Sequence, residues 1–482
     1  MEATASPPPT PTDPVIEEAR DYYHNLLAPV FRGRKFLHVG GLAVMLASRA
    51  RGLAAFGTER PFLLAHGRGT GEMPAPEEAE LAVLSAGGDG IIDHLRRSEA
   101  ALRQLPETVQ AAIDAWDPDR MARTLCGFML DERGADVIAG RRRYAHRPPA
   151  WTALEDKVRI DAFWDTLGVR RAPSRIVAAE CGAVQKAARE LDRGMGTVWA
   201  ADARSGLHGG AEGLRWVRPG DDGSEAFETL AAIADRVRVM PFLEGVPASI
   251  HGMVFPDGVA VFRPVELIVL RPDAGDRLLY AGCSNWFDPR PEDRQAMRSL
   301  ARRVGDALRS SVDYRGAFTI DGVLAEEGFL PTELNARAGA GLGTLTRGLG
   351  DFPLTPLCWA AAEGEALDYR PSLLERAVLA SADGQRSGGG WTVTPFELRE
   401  HGTLALGRDG DDFVERKEQD EAVASLVSGS NPLGGFLSLR LTEAALPTGS
   451  PAAPEMVRAL RFADRRIGSA FGPLTAARNA RP

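Results

Sequence analysis

Apolar residues return at every third or fourth position along VIEEARDYYHNLLAPVFR (Val15–Arg32), and that spacing predicts a helix. The pattern then shortens: KFLHV (Lys35–Val39) is a compact apolar run, Gly40–Gly41 punctuate it, and LAVMLASRARGLAAFG (Leu42–Gly57) resumes helical spacing and stops at glycine. Strand, glycine turn and helix form one βα unit, and PFLLAHG (Pro61–Gly67) reads as the next strand. The chain therefore opens as an α/β block, Rossmann-like in outline. The full GxGxxG dinucleotide fingerprint is absent, which leaves the glycines the ordinary role of a tight turn. From about Asp89 to Leu125 the pattern reads as helical, and RRRYAHRPPAW (Arg141–Trp151) marks a boundary.

A second block opens at Trp151. WTALEDKVRIDAFWDTLG keeps its apolar positions at helical spacing up to Gly168, a strand is expected after Pro173, and a further helix covers Ala183–Leu191. GTVWAADARSGLHGGAEGLRWV (Gly196–Val217) reads as strand, glycine-rich turn, strand. The stretch from Asp235 to Leu270 alternates as several antiparallel strands joined by turns such as PDG. PEDRQAMRSLARRVGDALRSSV (Pro291–Val312) is an amphipathic helix. AFTIDGV and FLPTELNAR, on either side of AEEG, form an antiparallel hairpin. Beyond Pro371 the pattern is less regular: SADGQRSGGGWTVTPFEL holds a glycine–serine loop, and PAAPEMVRALRFADRRIG ends the pattern with a helix. No internal repeat is evident.

Length and composition narrow the picture. A chain of 482 residues is too long for one core and suggests two to four domains. The expected units are a disordered Pro- and Thr-rich tail (1–15) and an α/β block (16–150); the further units 151–237, 238–366 and 367–482 are those that a family resemblance of the later segments implies. Net charge is −9, which argues against nucleic acid as the main partner, and the short basic runs RRRY and RALRFADRRIG read as solvated faces or helix ends. The four cysteines lie far apart with no CxxC, and the eight histidines form no HExxH, so neither a zinc ribbon nor a disulfide framework is indicated. The N-terminal tail lacks the basic and apolar regions of a signal peptide, and no apolar run reaches the ~18 residues of a membrane span. A soluble, cytoplasmic protein with no membrane partner is expected.

The chemistry concentrates in the hairpin. Side chains alternate faces along a strand, so Glu333, Asn335 and Arg337 share one face. With the turn centred near Glu326–Glu327, Asp321 falls across from Thr332–Glu333. Two carboxylates and an amide oxygen then converge. Like charges that close repel unless a cation lies between them, and hard oxygen ligands are what Mg²⁺ takes, usually with nucleotide phosphates. The glycines after Arg337 let backbone N–H groups approach an anion. The plain alternative is a solvated hairpin face that carries acids by chance.

An Asp followed about a dozen residues later by E-x-N-x-R resembles the metal-binding strand pair of the ATP-grasp superfamily. Three further pieces occur in the family's order: Asp156–Lys157, similar to the segment with the first phosphate-binding lysine; RSGLHGG (Arg204–Gly210), similar to the glycine-rich loop over the phosphates; and MPFLEG (Met240–Gly245), similar to the hinge whose backbone bonds adenine. The resemblance covers about Trp151–Ala366. It implies an ATP-grasp fold of two α+β subdomains clasping ATP, a Rossmann-like pre-ATP-grasp domain before it and a small C-terminal domain after it. Within the superfamily the hairpin segment is most similar to carboxylate–amine ligases of actinobacterial peptide-antibiotic pathways, such as the pheganomycin-type peptide ligase.

The resemblance implies ATP and Mg²⁺ (or Mn²⁺) as cofactors, with Asp321, Glu333 and Asn335 on the metal. Lys157, Arg204, Gly206, His208, Gly209, Gly210, Met240, Phe242, Leu243 and Glu244 would hold the nucleotide, and Arg337 and Gly341 would meet the transferred group. The segment at Ser205–Gly213 would be a lid with few apolar anchors. The family's second lysine falls at Ala201, where Arg204 or His208 could substitute. Its ribose acid falls at Pro247, where Glu244 is either the substitute or a surface glutamate. Ser249 and His251 could face an acceptor, although a core histidine is the commoner case. Arg263 and Glu266 could hold a substrate carboxylate and amine or form a structural salt bridge. The implied partners are small-molecule or peptide carboxylates and amines, and a homodimer is compatible. Three functions stay open: a carboxylate–amine ligase using an acyl phosphate, a small-molecule kinase, and a non-catalytic nucleotide-binding protein.

Overall fold

The computed structural model describes residues 13–481 except 89–90, 128, 205, 208, 210, 387, 395, 418–421 and 432–433. The first helix, Pro14–Phe31, starts inside the expected tail, where the Asp13 carboxylate accepts from the Val15 N–H (2.9 Å) and Pro14 opens the first turn. A four-stranded parallel sheet follows, ordered 80–83, 62–65, 36–39, 123–126. FLHV and FLLA are buried along their whole length, as parallel strands covered on both faces must be. Gly40 and Gly41, at φ +91° and +76°, make the left-handed turn that leads out of the first strand. The stretch expected to be helical up to Leu125 instead ends its helices at Trp116, and Arg123–Cys126 pairs with Phe36–Val39. Four residues give too short a pattern to signal a strand; a partner 87 positions upstream supplies the hydrogen bonds.

Two sheets then face each other. The smaller is antiparallel, ordered 175–178, 236–241, 197–201, 214–217. Trp199, Ala201, Val237 and Val239 on one of its faces pack against the helices Cys181–Leu191 and Ser224–Ala231. The boundary expected after residue 237 falls inside the strand Arg236–Pro241, which completes this sheet. The larger sheet begins with the hairpin Gly316–Ala325 and Gly328–Asn335 and runs through 245–255, 258–272 and 279–284. Ile250, Val254, Phe318, Ile320 and Leu334 on its outer face meet Met297, Val304 and Leu308 of the helix Pro291–Val312.

The C-terminal block is more regular than its sequence pattern. Residues 371–384 form a helix packed on the first helix of the chain, and Gly388–Thr394 pairs with Leu279–Ser284. Four more antiparallel strands extend the large sheet, covered by the helix Ala453–Ile467. The glycine–serine loop expected at 381–398 is the end of one helix and the start of a strand. Glycine suits that strand because a Cβ at Gly389 or Gly390 would run into Leu439 or Met456. Trp199, Trp216 and Trp286 are buried.

Two residues expected near substrate are struts of this frame. Arg263, fully buried, is ion-paired to Asp288 and Asp383 and takes no part in the central cavity. The Glu266 carboxylate accepts from the N–H groups of Ala452 (2.6 Å) and Ala453 (3.0 Å), so it caps the C-terminal helix from the middle of the large sheet. Both lie on a strand whose sequence alternation leaves open which neighbour each side chain meets.

Burial raises the Glu266 carboxyl from 4.5 to about 7. The folded chain therefore binds more protons than the unfolded chain between those values, and stability falls as pH rises through that window. Glu266→Gln keeps an acceptor oxygen and cannot ionise. Urea unfolding at pH 5 and pH 7.5 should show the variant gaining on the wild type by on the order of 2 kcal/mol across the interval. A pH-independent difference refutes this account.

Candidate active site

Between the two sheets lies a cavity of about 380 Å³ whose two ends differ in chemistry. One end is largely apolar: Val198, Ala200 and Met240 from the small sheet, Phe242 and Leu243 just after its last strand, and Leu267 and Val269 from the large sheet, with the Arg271 guanidinium over the Phe242 ring. The other is charged: Lys157, Arg238, Asp321, Glu333, Asn335 and Arg337. Strand alternation produces both ends. Positions 198, 200, 238 and 240 of the small sheet, and 249, 251, 319, 321, 333 and 335 of the large one, are those that do not pack into the cores.

The hairpin register places these groups in two rows. Ser249, Asp321 and Glu333 stand side by side, and His251, Thr319 and Asn335 form the adjacent row. In the first row, Ser249 donates to Asp321 Oδ1 (2.6 Å) and Lys157 Nζ sits 2.7 Å from Glu333 Oε1. Asn335 Nδ2 reaches across to Asp321 Oδ2 (2.8 Å), and its own Oδ1 accepts from Arg337 (2.7 Å). Burial, and then the negative charge of Glu333, push the Asp321 carboxyl upward. A buried carboxylate facing another is the electrostatic setting that a hard cation relieves. No cluster of three or more His, Cys, Asp or Glu occurs among the described residues, so two carboxylates and the Asn335 amide oxygen are the donor set on offer. That set fits Mg²⁺ or Mn²⁺, whose remaining positions take phosphate or water.

In the second row the His251 ring is buried and neutral, its pKa lowered to about 3 by burial. Nδ1 meets Thr319 Oγ1 at 2.8 Å, while Nε2 has no hydrogen-bond partner among the described residues. Gly339 and Gly341 close over this ring, and a Cβ on Gly341 would collide with Nε2. The ring accounts for Gly341, and the ring together with the Thr319 side chain for Gly339.

Lys157 reaches the cavity because the helix expected from Trp151 to Gly168 is broken. A short turn (Pro149–Thr152) and a single 3₁₀ turn (Ala153–Glu155) precede the helix Ile160–Thr166. In the gap the Asp156 carboxylate accepts from the Val158 N–H (3.0 Å), a local bond that competes with helix. Lys157 and Glu155 both turn toward the hairpin, where Glu155 Oε2 accepts from Arg337 Nε at 3.0 Å.

Other expected contacts go elsewhere. Arg204 is half-exposed, ion-paired to Asp235 (2.9 Å) and bonded to the Ala232 carbonyl. Glu244 is held by Arg271 (2.8 and 2.9 Å) and by the Arg478 N–H, and it does not line the cavity. Gly206 lies against the Leu130 carbonyl rather than in the cavity wall. Gly209, Ala211 and Gly213 do line the cavity, whereas His208 and Gly210 lie outside the described residues. The loop has an apolar anchor after all: Leu207 is buried with Ile92 and Leu130 of the N-terminal block, and its N–H donates to Leu130 O (2.9 Å).

Ala201, the position of the expected second lysine, faces the small-sheet core. The cation in the cavity wall nearby is Arg238, paired in register with Ala200 and bound to Asp161 (2.7 Å) and the Thr332 carbonyl (2.8 Å). The sequence reading missed it. Arg236, two residues earlier on the same strand, has the same parity and is exposed, so alternation alone gives no signal.

No protein-family model matches the sequence, and no curated protein does. Solved structures do resemble the fold. An ADP complex of N5-carboxyaminoimidazole ribonucleotide synthetase superposes with a TM-score of 0.52 at 13% identity, covering 90% of this chain and 98% of that one. Biotin carboxylase from Campylobacter jejuni also gives 0.52 at 13% identity, over 93% of each chain. The biotin carboxylase domain of the Hydrogenobacter thermophilus 2-oxoglutarate carboxylase, in complex with MgADP, ADP and bicarbonate, gives 0.51 at 13% identity, over 92% of this chain and 91% of that one. These neighbours are ATP-grasp ligases, and the chain has the ATP-grasp fold.

Proposed function

We propose that the protein is an ATP-dependent carboxylate–amine ligase that forms an amide bond through an acyl phosphate and releases ADP and phosphate. The observation that carries this reading is a single cavity with an apolar hinge end and a charged hairpin end. A nucleotide has that polarity: the base suits Val198, Met240, Phe242 and Leu243, and the phosphates suit Lys157 and the metal ligands. The nucleotides and magnesium bound by the structural neighbours support the same assignment. Mg²⁺, when held by Asp321, Glu333 and Asn335, supplies charge neutralisation to the phosphates.

The chain's own residues supply the rest. Lys157, now on Glu333, would bind α/β-phosphate oxygens. Arg337 and the N–H groups of Gly339–Gly341 would meet the γ-phosphoryl group and, later, the oxyanion. His251 and Ser249 border the place where an acid would sit; a neutral imidazole can hold a carboxylate without protonating it. A carboxylate oxygen attacks the γ-phosphorus as the bond to ADP breaks. The amine nitrogen then attacks the acyl carbon, and phosphate leaves with that oxygen. Enclosure between the two sheets keeps water from the acyl phosphate. The similarity of the hairpin segment to pheganomycin-type peptide ligases points to an amino-acid or peptide substrate in specialised peptide biosynthesis, in a cytoplasmic setting. No helix among the described residues is long and apolar enough to cross a membrane.

The test starts with an ADP-release screen over amino acids, with and without candidate acids. Incubation of the ¹⁸O-labelled acid with ATP and amine should then give labelled inorganic phosphate. Labelled AMP with pyrophosphate would refute the acyl phosphate, and ADP with a stable phosphorylated product would identify a kinase. Glu333→Gln and Asn335→Ala should each lower turnover more than about a hundredfold with the fold intact by circular dichroism. Activity within about threefold of wild type removes the metal assignment. Lys157→Ala should lower kcat/KM for ATP roughly ten- to a thousandfold, and unchanged ATP kinetics would return Lys157 to a purely structural pairing with Glu333.

A further inference from the structure

The geometry points to Glu155 as the positioning residue for Arg337, and to a buried file of alternating charges that fixes Glu155 from the N-terminal block. The inference rests on the nucleotide reading above. Arg337 lies two residues past the end of the strand Gly328–Asn335, so the pleat does not set the direction of its side chain. Its guanidinium is oriented instead by two bonds: Nε to Glu155 Oε2 at 3.0 Å and Nη2 to Asn335 Oδ1 at 2.7 Å. A planar group held at two of its nitrogens has its plane determined.

Glu155 is itself held. Its side chain is 2% exposed, and its other oxygen takes Arg147 Nη1. Arg147 pairs with Glu132 at 2.7 Å and donates to the carbonyl of Ala336, the residue before Arg337, at 3.1 Å. Glu132 in turn pairs with Arg143 at 2.9 Å. Each carboxylate in the file thus stands between two guanidinium groups, the pairing that a buried acid requires. The file crosses from the parallel-sheet block to the hairpin and ends at the one member that borders the cavity, Arg337. A surface ion pair would need none of this burial, and a structural strut would not need to end on the cavity wall. Lys157 on Glu333, two residues along the same segment, repeats the arrangement from the other side.

The test measures binding of Mg·ADP and Mg·AMP-PNP to the full chain by calorimetry. The wild type is expected to prefer AMP-PNP. Arg337→Ala should lower that preference about tenfold, and Glu155→Gln should lower it to within about threefold of Arg337→Ala. The ADP affinity of Glu155→Gln should stay within about threefold of wild type. The double variant should lose no more than either single one, and Glu155→Asp should recover part of the preference. Equal weakening of both nucleotides, or a wild-type ratio in Glu155→Gln, overturns the positioning role and leaves the nucleotide reading standing. A wild type that binds both nucleotides equally overturns the role of Arg337, and that of Glu155 with it. A wild type that binds neither overturns the nucleotide reading itself. Should Glu155→Gln fail to fold, Arg147→Lys decides: the three donors of an ammonium radiate from one nitrogen and do not reproduce the guanidinium fork that spans Glu132 and Glu155, so the preference should fall, and an unchanged ratio overturns the role.

Discussion

Two carboxylates, Asp321 and Glu333, both half-buried, face each other across one register pair of a hairpin in the cavity wall. That confrontation is the constraint on which the site is built. Left alone it would cost the fold dearly, since like charges in a low-dielectric setting repel strongly. The surrounding residues answer it. Ser249 and Asn335 donate to Asp321, Lys157 sits on Glu333, and Arg337 closes the far side. Each of these partners sits where a cation or phosphate could take over its contacts, so the arrangement that keeps the site folded without ligand is also the one that would exchange for it.

The two sheets divide the work by parity. Residues of one parity build the cores, while residues of the other face the cavity, and the same rule operates in both sheets. The strand Arg236–Pro241 shows the economy of this. Val237 and Val239 are core, Arg238 and Met240 are cavity, and the chain leaves the strand directly into the hinge. A break in the preceding helix, caused by the Asp156 side chain, delivers Glu155 and Lys157 to the opposite wall.

The sequence was read correctly where the structure depends on local periodicity, and less well where it depends on distant partners. Strand, turn and strand from Ala317 to Asn335 were legible from alternation around the turn, which left Asp321 opposite Thr332 or Glu333; a bulge at Thr332 decides for Glu333. The glycines at 339 and 341 were legible as special, but the Thr319 and His251 side chains that a Cβ there would meet come from other strands and gave no signal near them in the sequence. Arg204, Glu244, Arg263 and Glu266 were plausible as ligand contacts and are instead bound to Asp235, Arg271, Asp288 and the Ala452–Ala453 amides. A charged residue in a strand pattern announces that it needs a partner; it does not say whether that partner is a ligand or another part of the chain.

By itself, then, the sequence determined most of the element types, the hairpin and the shared face of Glu333 and Asn335, because periods of 2 and 3.6 are properties of neighbouring residues; the bulge that sets Asp321 against Glu333 rather than Thr332 left no mark in the pattern. Tertiary structure decided which charges reach the cavity. Arg337 and Glu155 are 182 positions apart, Arg238 and Thr332 are 94 apart, and Glu266 and Ala452 are 186 apart. Buried charges must be paired wherever the fold brings a partner, and only the packing of the two sheets, the broken helix and the N-terminal block settles where that is.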